Sequence, residues 1–160
     1  VVSVMLRKVQ RPTGAGEGGP DMDDSDYRAL AGFRFELRRF MAFSRKAAER
    51  AGLKPQQYQA LLAIRAREGG QPVTATILAE ELFIGLSTAV ELLDRLEAQG
   101  LITRRPWEAD RRRVVVELTP ASQRILQSLA STHRNELREH VPALMSLLSQ
   151  MGAREREAEH

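Results

Sequence analysis

A chain of 160 residues with 42% apolar residues and no cysteine has the length of one domain, or of one compact unit with helical extensions. It offers no disulfide, thiolate zinc site, iron–sulfur cluster or thiol redox switch. The net charge is only +3, and the stretch 103–113, with Arg104, Arg105, Arg111, Arg112 and Arg113 against Glu108 and Asp110, carries all of it, so that the remainder sums to zero.

The apolar run Val1–Leu6 is followed by Arg7 and Lys8 and is too short for a signal peptide or a membrane span, so a cytoplasmic protein without a membrane partner is expected. Residues 1–22 combine Pro12, Gly14, Gly16, Gly18, Gly19 and Pro20 with few apolar groups and read as a flexible tail. Their glycine alternation lacks the preceding strand and following helix that a phosphate loop requires. Asp23, Asp24, Ser25 and Asp26 then place negative charge where a helix dipole favours it. Leu30, Phe33, Leu37, Phe40, Met41, Ser44, Ala47 and Ala48 recur at three- and four-residue steps and predict a helix to about Ala51 with one apolar stripe. Phe35 and Phe43 lie off that stripe and call for a second partner, for which another copy of the chain is the candidate.

Gly52 ends this helix, Pro55 suits the first turn of the next, and Tyr58, Leu61, Leu62 and Ile64 carry that helix to about Arg67. After Gly69, Gly70 and Pro72, Thr74 is placed to cap a short helix bearing Ile77, Leu78, Ala79 and Leu82. A tight turn from Phe83 to Leu86, containing Gly85, leads to a helix of roughly Leu86 to Gln99 that buries Ala89, Leu92, Leu93 and Leu96 and stops at Gly100. Two short helices joined by such a turn form a helix-turn-helix pattern. The period then changes: Leu101, Ile102 and Thr103, the polar tip Pro106 to Arg111, and the run Val114 to Leu118 read as a two-stranded hairpin. Thr119 and Pro120 open another helix with an inner stripe of Ile125, Leu126, Leu129, His133 and Leu137, which Pro142 is expected to break. Leu144, Met145, Leu147, Leu148 and Met151 make a final amphipathic helix, and residues 153–160 are expected to fray.

The fold class is therefore mainly α with a small β-hairpin wing: a winged helix-turn-helix at 53–118 between helical segments at 23–52 and 119–152. Local wording sharpens this reading: Leu78-Ala79-Glu80-Glu81-Leu82, Ser87-Thr88, Leu93-Asp94-Arg95-Leu96-Glu97 and Gly100-Leu101-Ile102, then Arg104-Arg105, Asp110-Arg111-Arg112 and Leu118-Thr119-Pro120-Ala121. Taken in this order they resemble the MarR (multiple antibiotic resistance regulator) family of transcription factors, over roughly residues 25–152. The resemblance implies a homodimer held by its first and last helices, two winged helices presented to successive major grooves of double-stranded DNA, and a transcriptional regulator, usually a repressor, released by a small aromatic or phenolic effector. No other cofactor is expected.

On the recognition helix, Ser87, Thr88, Val90, Glu91 and Arg95 are the candidate readers: hydroxyls for bases or phosphates, Glu91 to accept from cytosine, Val90 against a thymine methyl. Thr88-x-x-Glu91 also suits a capping box, which is compatible with reading. In the wing, Arg112 follows Asp110 by two positions as in the family's wing motif and is the candidate for the minor groove. Arg104, Arg105, Arg111 and Arg113 are phosphate candidates, though strand alternation turns some of them away from DNA. Asp94 and Asp110 are cast as structural partners of the wing. Trp107 either covers apolar surface at the hairpin or rests on the DNA backbone. Phe33, Phe40, Phe43, Tyr58 and Arg65 are the candidate lining of an effector pocket, although core packing explains the apolar ones equally well.

His133 and His140 lie seven apart on one helix without a neighbouring carboxylate or thiolate pattern, which favours packing or hydrogen bonding over metal binding. No His-Glu-x-x-His, phosphate loop or nucleophile elbow is present, so catalysis is not expected. The alternative to DNA binding is a protein-docking module that uses a surface of Leu86, Val90 and Trp107.

Overall fold

Asp23 opens the first helix by accepting from the backbone N–H groups of Ser25 and Asp26 at 2.7 and 3.1 Å, while the Asp26 carboxylate accepts from Asp23 N–H at 3.0 Å. This reciprocal box satisfies donors that the first turn otherwise leaves orphaned. The computed structural model describes residues 23–68, 70, 73–108 and 110–157, without the side chains of 110, 112, 113 and 151–157. The expected tail, 1–22, lies outside the described residues, as do 158–160. The order is α1 (Asp24–Arg50), α2 (Pro55–Ala66), α3 (Ala75–Leu82), α4 (Leu86–Ala98), β1 (Ile102–Trp107), β2 (Asp110–Leu118) and α5 (Pro120–Glu157). Among the described residues no helix is long and apolar enough to cross a membrane.

The core forms where α2, α3, α4 and the hairpin meet the C-terminal end of α1 and the start of α5. Leu61, Leu78, Leu93, Leu96 and Ile102 are fully buried there with Ala48, Ala60 and Val116 around them. β1 and β2 pair antiparallel from Ile102↔Leu118 to Pro106↔Val114. A third partner, not foreseen, joins them: Val116 N–H donates to Val73 C=O at 3.1 Å, forming a bridge that fastens the wing to the chain just before α3.

Three expectations are corrected. Pro142 does not break the last helix, since α5 runs unbroken to Glu157 and takes in the residues expected to be a separate helix and the start of a frayed end. Proline removes one backbone donor and costs a helix interior about 3 kcal/mol. Here α5 lies along α1 on both sides of it, with His140 buried and Leu144 and Leu147 half-buried. At Gly32 an added Cβ would stand 3.0 Å from Leu147 Cδ2, so the small residue on α1 leaves room for that side chain of α5.

The inner face of α1 is also rotated from the expected stripe. Ala29, Ala47 and Ala48 are buried and Phe33, Glu36, Phe40, Phe43 and Ser44 half-buried, whereas Leu30, Leu37 and Met41 face outward. Phe43, expected off the stripe, packs against the core. Finally, the cap of α4 is Gly85 in extended conformation with no side-chain bond, so neither Ser87 nor Thr88 caps it.

Candidate nucleic-acid interface

α4 is amphipathic with its buried side fixed by Ala89, Leu92, Leu93 and Leu96, which leaves Leu86, Ser87, Thr88, Val90, Glu91 and Arg95 exposed, the side the spacing assigned to them. Its far end is pinned: Gly100 takes positive φ (67°), and Thr119 Oγ1 donates to the Gly100 carbonyl at 2.8 Å, tying the end of α4 to the start of α5. The hydroxyls of Ser87 and Thr88, released from capping, stand free on the first turn, where helix backbone donors also point outward. Glu91 and Arg95 are paired with each other at 2.9 Å across one turn, so neither is an idle group awaiting a base.

The wing arginines divide into two sets. Arg104 donates to Asp94 Oδ1 at 2.6 Å and reaches Glu97 at 3.6 Å. It therefore links β1 to α4 through Asp94, cast as a structural partner of the wing, and Glu97, a partner that spacing did not indicate. Arg105 pairs with Glu117 on β2 at 2.6 Å and, at 3.9 Å, with Glu108. The donated hydrogen bond holds the Glu117 carboxyl below its ordinary range and raises the Arg105 guanidinium. Both arginines were phosphate candidates; the structure gives each a carboxylate partner within the protein.

The second set lies where the ladder slips. Pro106 faces Val114 and Trp107 faces Asp110, so the register leaves Arg111, Arg112 and Arg113 without partners on β1. The alternation used to turn some of them away from DNA therefore does not apply in this stretch. Arg111 is exposed. The side chains of Asp110, Arg112 and Arg113 lie outside the described ones, so the role given to Asp110 is not placed. Trp107 is half-buried and lines a cleft of about 410 Å³ with Ile64, Arg67 and Val115, the position of a side chain that covers apolar surface.

Of the candidate effector residues, Phe40, Phe43 and Tyr58 converge on His133. Tyr58 stacks on the imidazole at 4.8 Å between centroids, and the two phenylalanines meet it edge-on at 6.0 and 5.6 Å. Burial raises the Tyr58 hydroxyl above its usual value. Both nitrogens of His133 are engaged, Nδ1 with Leu129 C=O at 2.7 Å and Nε2 with Ser44 Oγ at 2.9 Å. Phe33 lies half-buried further along α1. Arg65 is not part of the group: it pairs with Glu68 and lines a separate cleft with Leu62, Arg124 and Gln127.

His140 has the carboxylates that spacing was thought to lack. Glu36 lies 2.7 Å from Nδ1 and Glu136 2.9 Å from Nε2. The Glu136–His140 pair is legible as an i,i+4 spacing; Glu36 is 104 residues away, and only the packing of α1 on α5 could reveal it. Among the described residues no cluster of His, Asp and Glu is arranged to hold a metal ion.

Residues 51–113 match the model of the MarR family. The organic hydroperoxide resistance transcriptional regulator of Bacillus subtilis is 40% identical over 63 residues, which cover 39% of this chain and 41% of that one. The structure of AbsC, a MarR family transcriptional regulator from Streptomyces coelicolor, superimposes with a TM-score of 0.65 at 23% identity, covering 89% of this chain and 97% of the other. Staphylococcus aureus MepR in complex with DNA does so with a TM-score of 0.63 at 21% identity, covering 79% and 90%. Against the curated relatives the matched segments span about a third to a half of their length, from 32% to 49%.

Proposed function

We propose, from the match of residues 51–113 to the MarR family, that the chain is a sequence-specific regulator of transcription that binds double-stranded DNA as a homodimer. In this reading α4 enters the major groove and the tip of the wing follows the adjacent minor groove, with Arg112 the inserted group. The observation that carries it is the mooring of the wing to the recognition helix: Arg104, held by Asp94 and Glu97, fixes the hairpin that bears Arg111, Arg112 and Arg113 against the helix whose polar side is exposed. Two cationic and polar elements held in one fixed relation suit a duplex, where phosphate contacts set the register and base contacts set the sequence. MepR, similar in fold, is a DNA-bound precedent.

Regulation takes the form of repression relieved by a small aromatic or phenolic effector. The segments 23–52 and 119–152 serve as the dimer base, and the aromatic group around His133 lies where that base, through α1 and α5, meets α2 of the reading head. A thiol switch is ruled out within this sequence, which has no cysteine.

The test is selection of bound duplexes from a random pool at two salt concentrations. An inverted repeat should be enriched, with affinity falling on a log–log slope of about −5 to −9 if the dimer makes roughly six to ten phosphate contacts. A folded dimer that enriches nothing at low salt would instead favour protein docking through Leu86, Val90 and Trp107.

A further inference from the structure

The turn from α3 into α4 holds a conformational outlier. Phe83 adopts φ 54° and ψ 42°, the left-handed region. Among the described residues it is the only non-glycine with positive φ. There its Cβ crowds the backbone, and its ring is also 83% exposed to water. Glycine would remove both penalties, and the glycine of this turn, Gly85, is spent on an ordinary extended conformation with φ −67°. Strain kept together with an uncovered aromatic ring calls for a use that the fold itself does not supply.

Two more large apolar groups follow. Leu86 and Val90 stand one turn apart on the same side of α4 and are 53% and 40% exposed, while Ala89, Leu92 and Leu93 do the packing. A single exposed apolar side chain is ordinary; three within eight residues, at the entry to a recognition helix, mark a place where a partner would be met.

Resting on the DNA-binding reading above, we propose that Phe83, Leu86 and Val90 read the C5-methyl groups of thymine in the major groove. Thymine alone among the bases presents a methyl there, and phenylalanine and aliphatic groups are its natural partners. The occupant is a duplex and not an apolar protein groove because of what flanks the surface. Ser87 and Thr88 lie exposed beside it at the positive end of the helix dipole, and the arginine-bearing wing is moored to the same helix. Glu91 and Arg95, the charged groups on the same exposed side, are already paired with each other, so selection at Phe83, Leu86 and Val90 falls to methyl contacts.

The experiment uses the duplex enriched by selection, with single thymines replaced by deoxyuridine, which removes only the methyl. The parent chain should lose about fourfold in affinity per contacted methyl, the equivalent of exposing one buried carbon group. Phe83→Gly should keep the salt slope, melt at the same temperature or higher, and no longer distinguish thymine from uracil at the positions Phe83 meets. Equal affinity of the parent for both duplexes overturns the proposal while leaving the regulator reading intact, as does a Phe83→Gly variant with undiminished discrimination. A folded chain that binds no duplex overturns both.

Discussion

Arg104 donates to Asp94 at 2.6 Å and so brings a largely neutralised charge to the interface. An acidic residue beside a DNA-binding helix repels phosphate, and removing it should tighten binding if repulsion were its only effect. The expected result of Asp94→Asn is the opposite. Affinity for the selected duplex falls by about 0.2–1 kcal/mol, the scale of an exposed ion pair, because the wing loses its mooring. Arg112→Ala should cost more, about 1–3 kcal/mol, without changing the assembly state, as for the loss of one good groove contact. Anisotropy titrations of both variants with one duplex, alongside sedimentation, check the order. If Arg112→Ala bound every duplex as tightly as the parent, the wing would not be the minor-groove element.

Along α5 two residues set the behaviour of the whole element. His140 is buried between Glu136 of its own helix and Glu36 of α1, and the hydrogen bond to Glu136, then that to Glu36, raises its pKa. Burial and Arg39 of α1 oppose the shift without reversing it. A group whose folded pKa is raised contributes stability that is fully present below its unfolded value, near 6.5, and is lost as pH rises through the folded value. Thermal midpoints at fixed protein concentration should therefore decline as pH increases above about 6.5, and His140→Gln should flatten that dependence. Pro142 is exposed within the same helix and denies Arg138 C=O its backbone donor. Pro142→Ala should raise stability, by up to about 3 kcal/mol, seen as a higher melting temperature. A lower midpoint would mean that the helix depends on the bend or rigidity proline provides.

At the scale of the molecule, a single copy leaves an apolar side uncovered. Tyr27, Leu30, Leu37 and Met41 of α1 and Leu137, Val141, Met145 and Leu148 of α5 are exposed along two helices that already pack on one another. Such rows gain from a second copy, and the two-fold symmetry of the pair must then be mirrored in the operator, with half-site centres about 10 bp apart. Leu37→Glu combined with Met145→Glu should halve the mass seen in sedimentation and abolish tight binding to the inverted repeat while leaving each winged helix folded. An unchanged mass would place the dimer contact elsewhere.

What the sequence determined by itself was whatever is encoded at short range. The 3.6-residue stripes placed α2, α3 and α4, the change to a β-branched run placed the wing, Asp23 and Gly100 marked their helix ends, and the order of local motifs around Leu78 and Asp94 carried the likeness to the MarR family. Tertiary packing decided the rest, because the deciding partner lay far along the chain or was a whole helix. α5 continues unbroken through Pro142 where it packs on α1, and the face of α1 that turns inward is the one that meets α5. Arg104 and Arg105 gained their carboxylate partners only once the chain folded, and one of the two carboxylates on buried His140 came from a residue 104 positions away. The left-handed turn at Phe83 had no local signal at all: a residue type that resists that conformation is held in it by the helices on either side.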